Sequence, residues 1–194
     1  MARTKEFDPE AALQSALELF WRRGYEATSM ADLVEHLGIG RASIYATFGN
    51  KHELYLKAMD RYAETRDPSL VAELSQPGPA LPAVRALVHR FAEEAASPEK
   101  RLAGCLVTNT AAELAPHDPV VARRVEVSWD HVETPLYVAL IRAQAQGELP
   151  EDRDPRALSR MLFVLLQGLR VVGKASDDPA RVRDAAKQAL ALLD

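Results

Sequence analysis

One cysteine, Cys105, in 194 residues excludes an intrachain disulfide and any multi-cysteine zinc site, and fits a reducing compartment such as the cytoplasm. There is no basic-then-apolar-then-small start of the kind a signal peptide carries. The most apolar run, Met161 to Leu166, falls far short of the roughly 20 residues a membrane span needs, so no membrane association is expected. Excess positive charge is missing too: the net charge is −4, which argues against a sequence-indifferent DNA-compacting protein and leaves nucleic-acid binding to local geometry. None of the patterns G-x-S-x-G, G-x-G-x-x-G or H-E-x-x-H occurs, and His36, His52, His89, His117 and His131 have no paired metal spacing. Neither an enzyme, nor a metal site, nor a cofactor is expected.

What is present is helical. Apolar residues make up 47% of the chain, enough for a sizeable core. They recur three and four apart, as in Leu13, Ala16, Leu17, Phe20 and again in Leu54, Tyr55, Ala58, Met59, Tyr62. Four Asp-Pro pairs, at 8, 118, 154 and 178, each read as a helix start, the carboxylate capping free amides while proline takes the first turn. No segment alternates like a strand. The expected fold class is all-α with about nine helices.

Pro68, Pro77, Gly78, Pro79 and Pro82 form the densest breaker cluster, which puts a domain boundary near residues 66 and 67. Beyond it, the stretch Leu158 to Val172 is apolar nearly all round, so it must be covered on two sides. With the small-residue face of the last helix, it supplies the expected dimer contacts: Leu158, Met161, Leu162, Leu165, Leu166, Leu169, Ala186 and Leu190.

Between Ser29 and Phe48 lie two short helices and a tight turn. Ser29 caps the first, Gly38 stops it, and Arg41 to Thr47 form the second, with Ile39 and Ile44 turned inward against Met30, Leu33, Val34 and Leu37. This is helix-turn-helix spacing.

On the residues Ala11-Ala12-Leu13, Phe20, Gly24-Tyr25-Glu26-Ala27-Thr28-Ser29, Gly38-Ile39, Ser43-Ile44-Tyr45-Ala46-Thr47-Phe48 and Lys51, the segment from Phe7 to about Tyr55 resembles the TetR-family DNA-binding domain. The resemblance implies a DNA-binding domain over 1–66 and a ligand-sensing, dimerising domain over 67–194. It implies a cytoplasmic homodimer on a double-stranded, palindromic operator, most often a repressor, released by a small-molecule effector. The second helix would enter the major groove, with Arg41, Ala42, Ser43 and Ala46 toward base edges. Tyr45, Thr47 and Lys51 would hold phosphates, with Thr28, Ser29 and the arm residues Arg3 and Lys5 as further phosphate candidates. Acidic residues balance the basic ones up to Lys51, so few phosphate contacts and a shallow salt dependence are expected.

For the effector, the apolar stripes offer Phe91, Leu102, Cys105, Leu106, Asn109, Trp129 and Phe163, with Asn109 as an orienting hydrogen-bonder. Cys105 has two readings. It is either a small buried hydrophobe or, with Arg101 one turn earlier, a thiolate that senses oxidants or electrophiles.

Overall fold

The computed structural model describes residues 7–65, 69–99 and 104–194. Among these residues the chain is helical without strands: α1 (Pro9–Arg23), α2 (Met30–Leu37), α3 (Arg41–Phe48), α4 (Lys51–Thr65), α5 (Leu70–Ser75), α6 (Ala80–Ala96), α7 (Leu106–Glu113), α8 (Pro119–Ala145), α9 (Pro155–Ala175) and α10 (Ala180–Ala191). The element beyond the expected nine is α5, a short turn-and-a-half inside the breaker-rich stretch. The Asp-Pro starts act as read: Asp8, Asp118 and Asp154 each accept two first-turn amides, and Asp178 accepts the Ala180 amide. The long helix α8 runs on through Pro135.

Two apolar cores hold the chain. The first gathers Ala16, Leu17 and Phe20 of α1, Leu33, Ile44 and Phe48 of the helix-turn-helix, and Leu54, Tyr55 and Met59 of α4. It also takes in Cys105, Leu106, Val107, Leu114, Val121 and Val125, so α7 and the start of α8 are packed into the N-terminal core. The second core is built by α5, α6, the rest of α8, α9 and α10. Movement of α7 or α8 therefore bears directly on the helices that carry α3.

Leu162, Leu166, Leu169, Ala186 and Leu190 belong to that second core and are buried within the single chain. This corrects their reading as contacts to another copy, because their surface is already spent. Leu158, Met161 and Leu165 are only half-buried. On the other side of the same helices an apolar stripe faces outward: Val164 (66% exposed), Gly168 and Val171 on α9, beside Val127, Val138 (57% exposed) and Ile141 on α8.

Candidate nucleic-acid interface and sensor cavity

Local chemistry fixes α2 before packing does. The Ser29 hydroxyl accepts the Asp32 amide while the Asp32 carboxylate accepts the Ser29 amide at 2.8 Å, a reciprocal cap. The Asp32 carboxyl is held below its usual range, first by the Ser29 hydroxyl, then by the Ser29 amide and the Arg23 guanidinium. At the other end Gly38 adopts φ 66°, the left-handed conformation that lets the chain turn within two residues into α3.

The helix α3 is then oriented by what it buries. Ile44 and Phe48 point into the core against Leu33 and Leu54, leaving Arg41, Ala42, Tyr45, Ala46 and Thr47 exposed and Ser43 half-buried. Tyr45 is 45% exposed, a large aromatic side chain with no intrachain reason to be outside. Arg41 makes no ion pair among the described residues. Lys57 Nζ donates to the Phe48 carbonyl at 3.2 Å and closes the far end of the helix. A second reciprocal cap, between Asn50 and Glu53, starts α4. Gly49 sits beside it at φ 84°, where a Cβ would collide with the Glu53 carboxylate.

Lys51 lies in the first turn of α4, its ammonium 4.0 Å from the centroid of the Tyr25 ring. Thr28 and Ser29 are placed differently from the expectation. Thr28 is fully buried and its hydroxyl donates to the Gly24 carbonyl at 2.7 Å, so it has no free group for a phosphate. The Ser29 hydroxyl is committed to the cap and faces a carboxylate, an unfavourable neighbour for an anion. Arg3 and Lys5 lie outside the described residues.

Several polar contacts tie this unit to the second half of the chain, among them an Arg124–Asp60 ion pair at 2.9 Å and the Trp21 indole N–H on the Gly104 carbonyl at 3.3 Å. Glu113, at the end of α7, accepts the backbone amides of Tyr25 and Glu26 at 3.1 and 2.8 Å. His52 Nε2 stands 2.6 Å from Asp118 Oδ2, joining α4 to the residue that caps α8. Amides of the α8 first turn, chiefly Val121, and then the His52 ring hold the Asp118 carboxyl below its usual range. Inside, Tyr55 Oη meets Thr110 Oγ1 at 2.7 Å.

A cavity of about 210 Å³ opens where the two cores meet, walled by Tyr62 and Ala63 of α4, Leu70 and Val71 of α5, Cys105 and Val107, Ser128, Trp129, His131 and Val132 of α8, and Gln167 and Arg170 of α9. Of the expected effector residues, Cys105 and Trp129 line it. Phe91 and Leu106 are buried core, Phe163 packs edge-on against Trp129 at 5.8 Å, and Asn109 is half-buried off the cavity wall. None of these four lines the cavity: packing neighbours have taken the surface of Phe91, Leu106 and Phe163, and Asn109 keeps part of its surface away from it. Leu102 lies outside the described residues.

Cys105 is the N-cap of α7 rather than a residue on its apolar face, and its cationic neighbour comes from α9: Arg170 Nη1 donates to Cys105 Sγ at 3.3 Å. Arg101 lies outside the described residues. Burial pushes the Cys105 thiol up, but the Arg170 charge and the Thr108 and Tyr62 hydroxyls outweigh it, and the net shift is downward. The sequence reading missed Tyr62, Gln167 and Arg170 as wall residues. A signal for two of them existed: Gln167 and Arg170, three apart, are polar interruptions of the otherwise apolar run.

A helix-turn-helix with a solvent-facing second helix, joined to a helical domain across a seam that holds a cavity, is the architecture of a DNA-binding regulator. Comparison with known proteins agrees. The family model for bacterial regulatory proteins of the tetR family matches residues 12–58, and the tetracyclin repressor-like C-terminal domain matches residues 80–189. The chain belongs to the TetR family of transcriptional regulators. It is 38% identical over 195 residues to the uncharacterized HTH-type transcriptional regulator YezE of Bacillus subtilis (strain 168), covering 100% of both chains. It is 34% identical over 173 residues to the HTH-type transcriptional repressor ComR of Escherichia coli (strain K12), covering 87% of this chain and 80% of that one. A solved structure of the TetR-family regulator CifR, a cysteine mutant complexed with 26-bp double-strand operator DNA, superposes with a TM-score of 0.84 at 28% identity over 100% of both chains. Among the described residues no helix is long and apolar enough to cross a membrane, and no group of side chains could hold a metal ion.

Proposed function

We propose that this protein is a cytoplasmic, ligand-responsive repressor that binds a palindromic operator as a homodimer, with residues 1–66 reading DNA and 67–194 sensing and dimerising. The observation that carries the DNA half is the outward face of α3. Arg41, Ala42, Tyr45 and Ala46 share one exposed side of a helix locked from behind by Ile44 and Phe48. Arg41 gives bidentate hydrogen bonds to guanine, Ala42, Ser43 and Ala46 approach base edges and thymine methyls, and Tyr45, Thr47 and Lys51 hold phosphates.

Dimerisation follows from the outward stripe of α8 and α9. Val138 and Ile141 of α8 and Val164 and Val171 of α9 are large apolar side chains that a monomer would leave in water, and a second copy related by a two-fold axis covers them. Leu158, Met161 and Leu165 edge the same face. Two α3 helices at about 34–36 Å then meet successive major grooves.

The effector occupies the cavity between the cores, touching α4 at Tyr62 and Ala63 and α8 at Trp129. Binding there favours one setting of α4 against α8, and a differential affinity of about 1–3 kcal/mol between the two settings suffices to change operator occupancy. Selection of DNA from a random pool by the purified protein tests the reading. A recovered palindrome, with binding to it far above that to random DNA, is the expected result; equal affinity for both across a salt series refutes it.

A second reading of the same domain has support in the Arg170–Cys105 contact. A thiol with a cation at 3.3 Å is suited to react with oxidants or electrophiles, and its modification would release the operator. Loss of oxidant-driven release in Cys105→Ser is expected on this reading, and an unchanged response eliminates it.

A further inference from the structure

The cavity wall has a one-sided chemistry. Arg170 brings a guanidinium whose protein partners are the Cys105 sulfur and the Phe91 ring, 4.5 Å from its carbon; no carboxylate offsets it among the described residues. Gln167, one turn before it, takes the Thr108 hydroxyl on its carbonyl oxygen at 2.7 Å, which leaves its amide N–H donors unspent. No aspartate or glutamate is among the lining residues. Leu70, Val71, Val107, Trp129 and Val132 supply most of the remaining surface, apolar and aromatic, with Tyr62, Ser128 and His131 as its other polar members, none of them an anion at neutral pH.

A cation and spare donors on one wall, facing a mostly apolar remainder with no acidic side chain, select a ligand that is an anion at one end and apolar at the other. A carboxylate would give the half-buried guanidinium a counter-charge that a neutral apolar molecule cannot, and a cation would be repelled by it. A guanidinium matches a carboxylate through two parallel N–H donors. From this juxtaposition we propose that the effector is a small organic carboxylate, its anionic head on Arg170 and Gln167 and its apolar body against Trp129 and Val132. The inference rests on the reading of the cavity as the effector site and adds the chemical class of its occupant.

Trp129 adds a second feature. Its indole N–H is buried and has no acceptor. An acceptor atom on a ligand that reached this N–H would give it the partner it lacks.

Calorimetric titration of the purified full-length protein with benzoate and hexanoate, each paired with its uncharged amide, benzamide and hexanamide, tests the proposal. At least one carboxylate is expected to bind about tenfold or more tighter than its amide, the worth of one charge-assisted hydrogen-bonded contact. In Arg170→Gln that preference should fall away, while Arg170→Lys, which keeps the charge, should retain part of it; circular dichroism of both variants establishes that they fold. Equal binding of acid and amide, no binding of any probe at millimolar concentration, or an unchanged preference in Arg170→Gln overturns the proposal. Failure of the regulator reading is seen separately, in the DNA selection: a palindrome recovered alongside no carboxylate preference removes only the effector class.

Discussion

Tyr55 donates its hydroxyl proton to Thr110 across the seam between α4 and α7. The direction of that 2.7 Å bond follows from proton counting, because Thr110 spends its single hydroxyl proton on the Leu106 carbonyl, also at 2.7 Å. Burial pushes the Tyr55 hydroxyl up to about 12 from 10.0, with the Glu113 charge adding to it. A raised value means the neutral phenol is the form the fold prefers. The associated stability is complete below pH 10 and is lost as pH rises through about 12. Alkaline unfolding followed by circular dichroism should therefore be displaced to lower pH when the seam is weakened elsewhere. Tyr55→Phe should cost about 1 kcal/mol at neutral pH and remove this alkaline component, since it has no proton to lose; an identical alkaline profile in the variant would contradict the assignment.

Glu113 is the latch on the loop before α2. One carboxylate accepting two amides is a charge-assisted contact, and partial exposure keeps its worth modest. Glu113→Ala should lower stability by about 1–3 kcal/mol in denaturant titration and weaken operator binding beyond that, because α3 loses its registration to α7. Retention of full affinity for the operator in Glu113→Ala would show that the latch has no bearing on DNA.

The outward and inward faces of α9 give opposite phenotypes for the same chemistry. Val164→Asp places a charge on a face exposed in the single chain, so the variant should fold yet run as a monomer on size exclusion and lose the operator. Leu166→Asp puts the charge inside the chain's own core and should unfold it, at several kcal/mol. A dimeric, operator-binding Val164→Asp would remove the proposed face from consideration.

Arg41 and Lys51 should separate specificity from affinity. Arg41→Ala is expected to relax preference at one base pair per half-site by about 1–3 kcal/mol, whereas Lys51→Ala weakens all sequences alike and reduces the salt slope by about one. Identical selection profiles for the two variants would dissolve that division.

Much of the fold was legible because its causes are local. The Asp-Pro starts, the Ser29 cap, the Gly38 stop and the three-and-four spacing of apolar residues each fix an element within a few residues of themselves, and the helix-turn-helix is made of nothing else. Thr28 was misread because its burial is set by how the chain packs around it, while its hydroxyl is spent on the Gly24 carbonyl four residues back. The cavity wall was legible only in part. Trp129 and Cys105 lie on it, but Arg170 comes to Cys105 from 65 residues away, and no local rule brings those two together.

The run Leu158 to Val172 marks the limit most clearly. Its composition determined that both sides of the helix must be covered, since hydrophobic burial depends on area and not on partner. Which side faces which neighbour is set by the packing of α6, α8 and α10, and that assigned Leu162, Leu166 and Leu169 to the chain's own interior and Val164 to the outside. Sequence by itself therefore determined most of the helices, the capped starts and the tight turn between α2 and α3, because hydrogen bonds and caps act over one turn. The tertiary structure decided the cavity, its lone guanidinium and the outward valine face, because these depend on where helices distant in the chain come to rest.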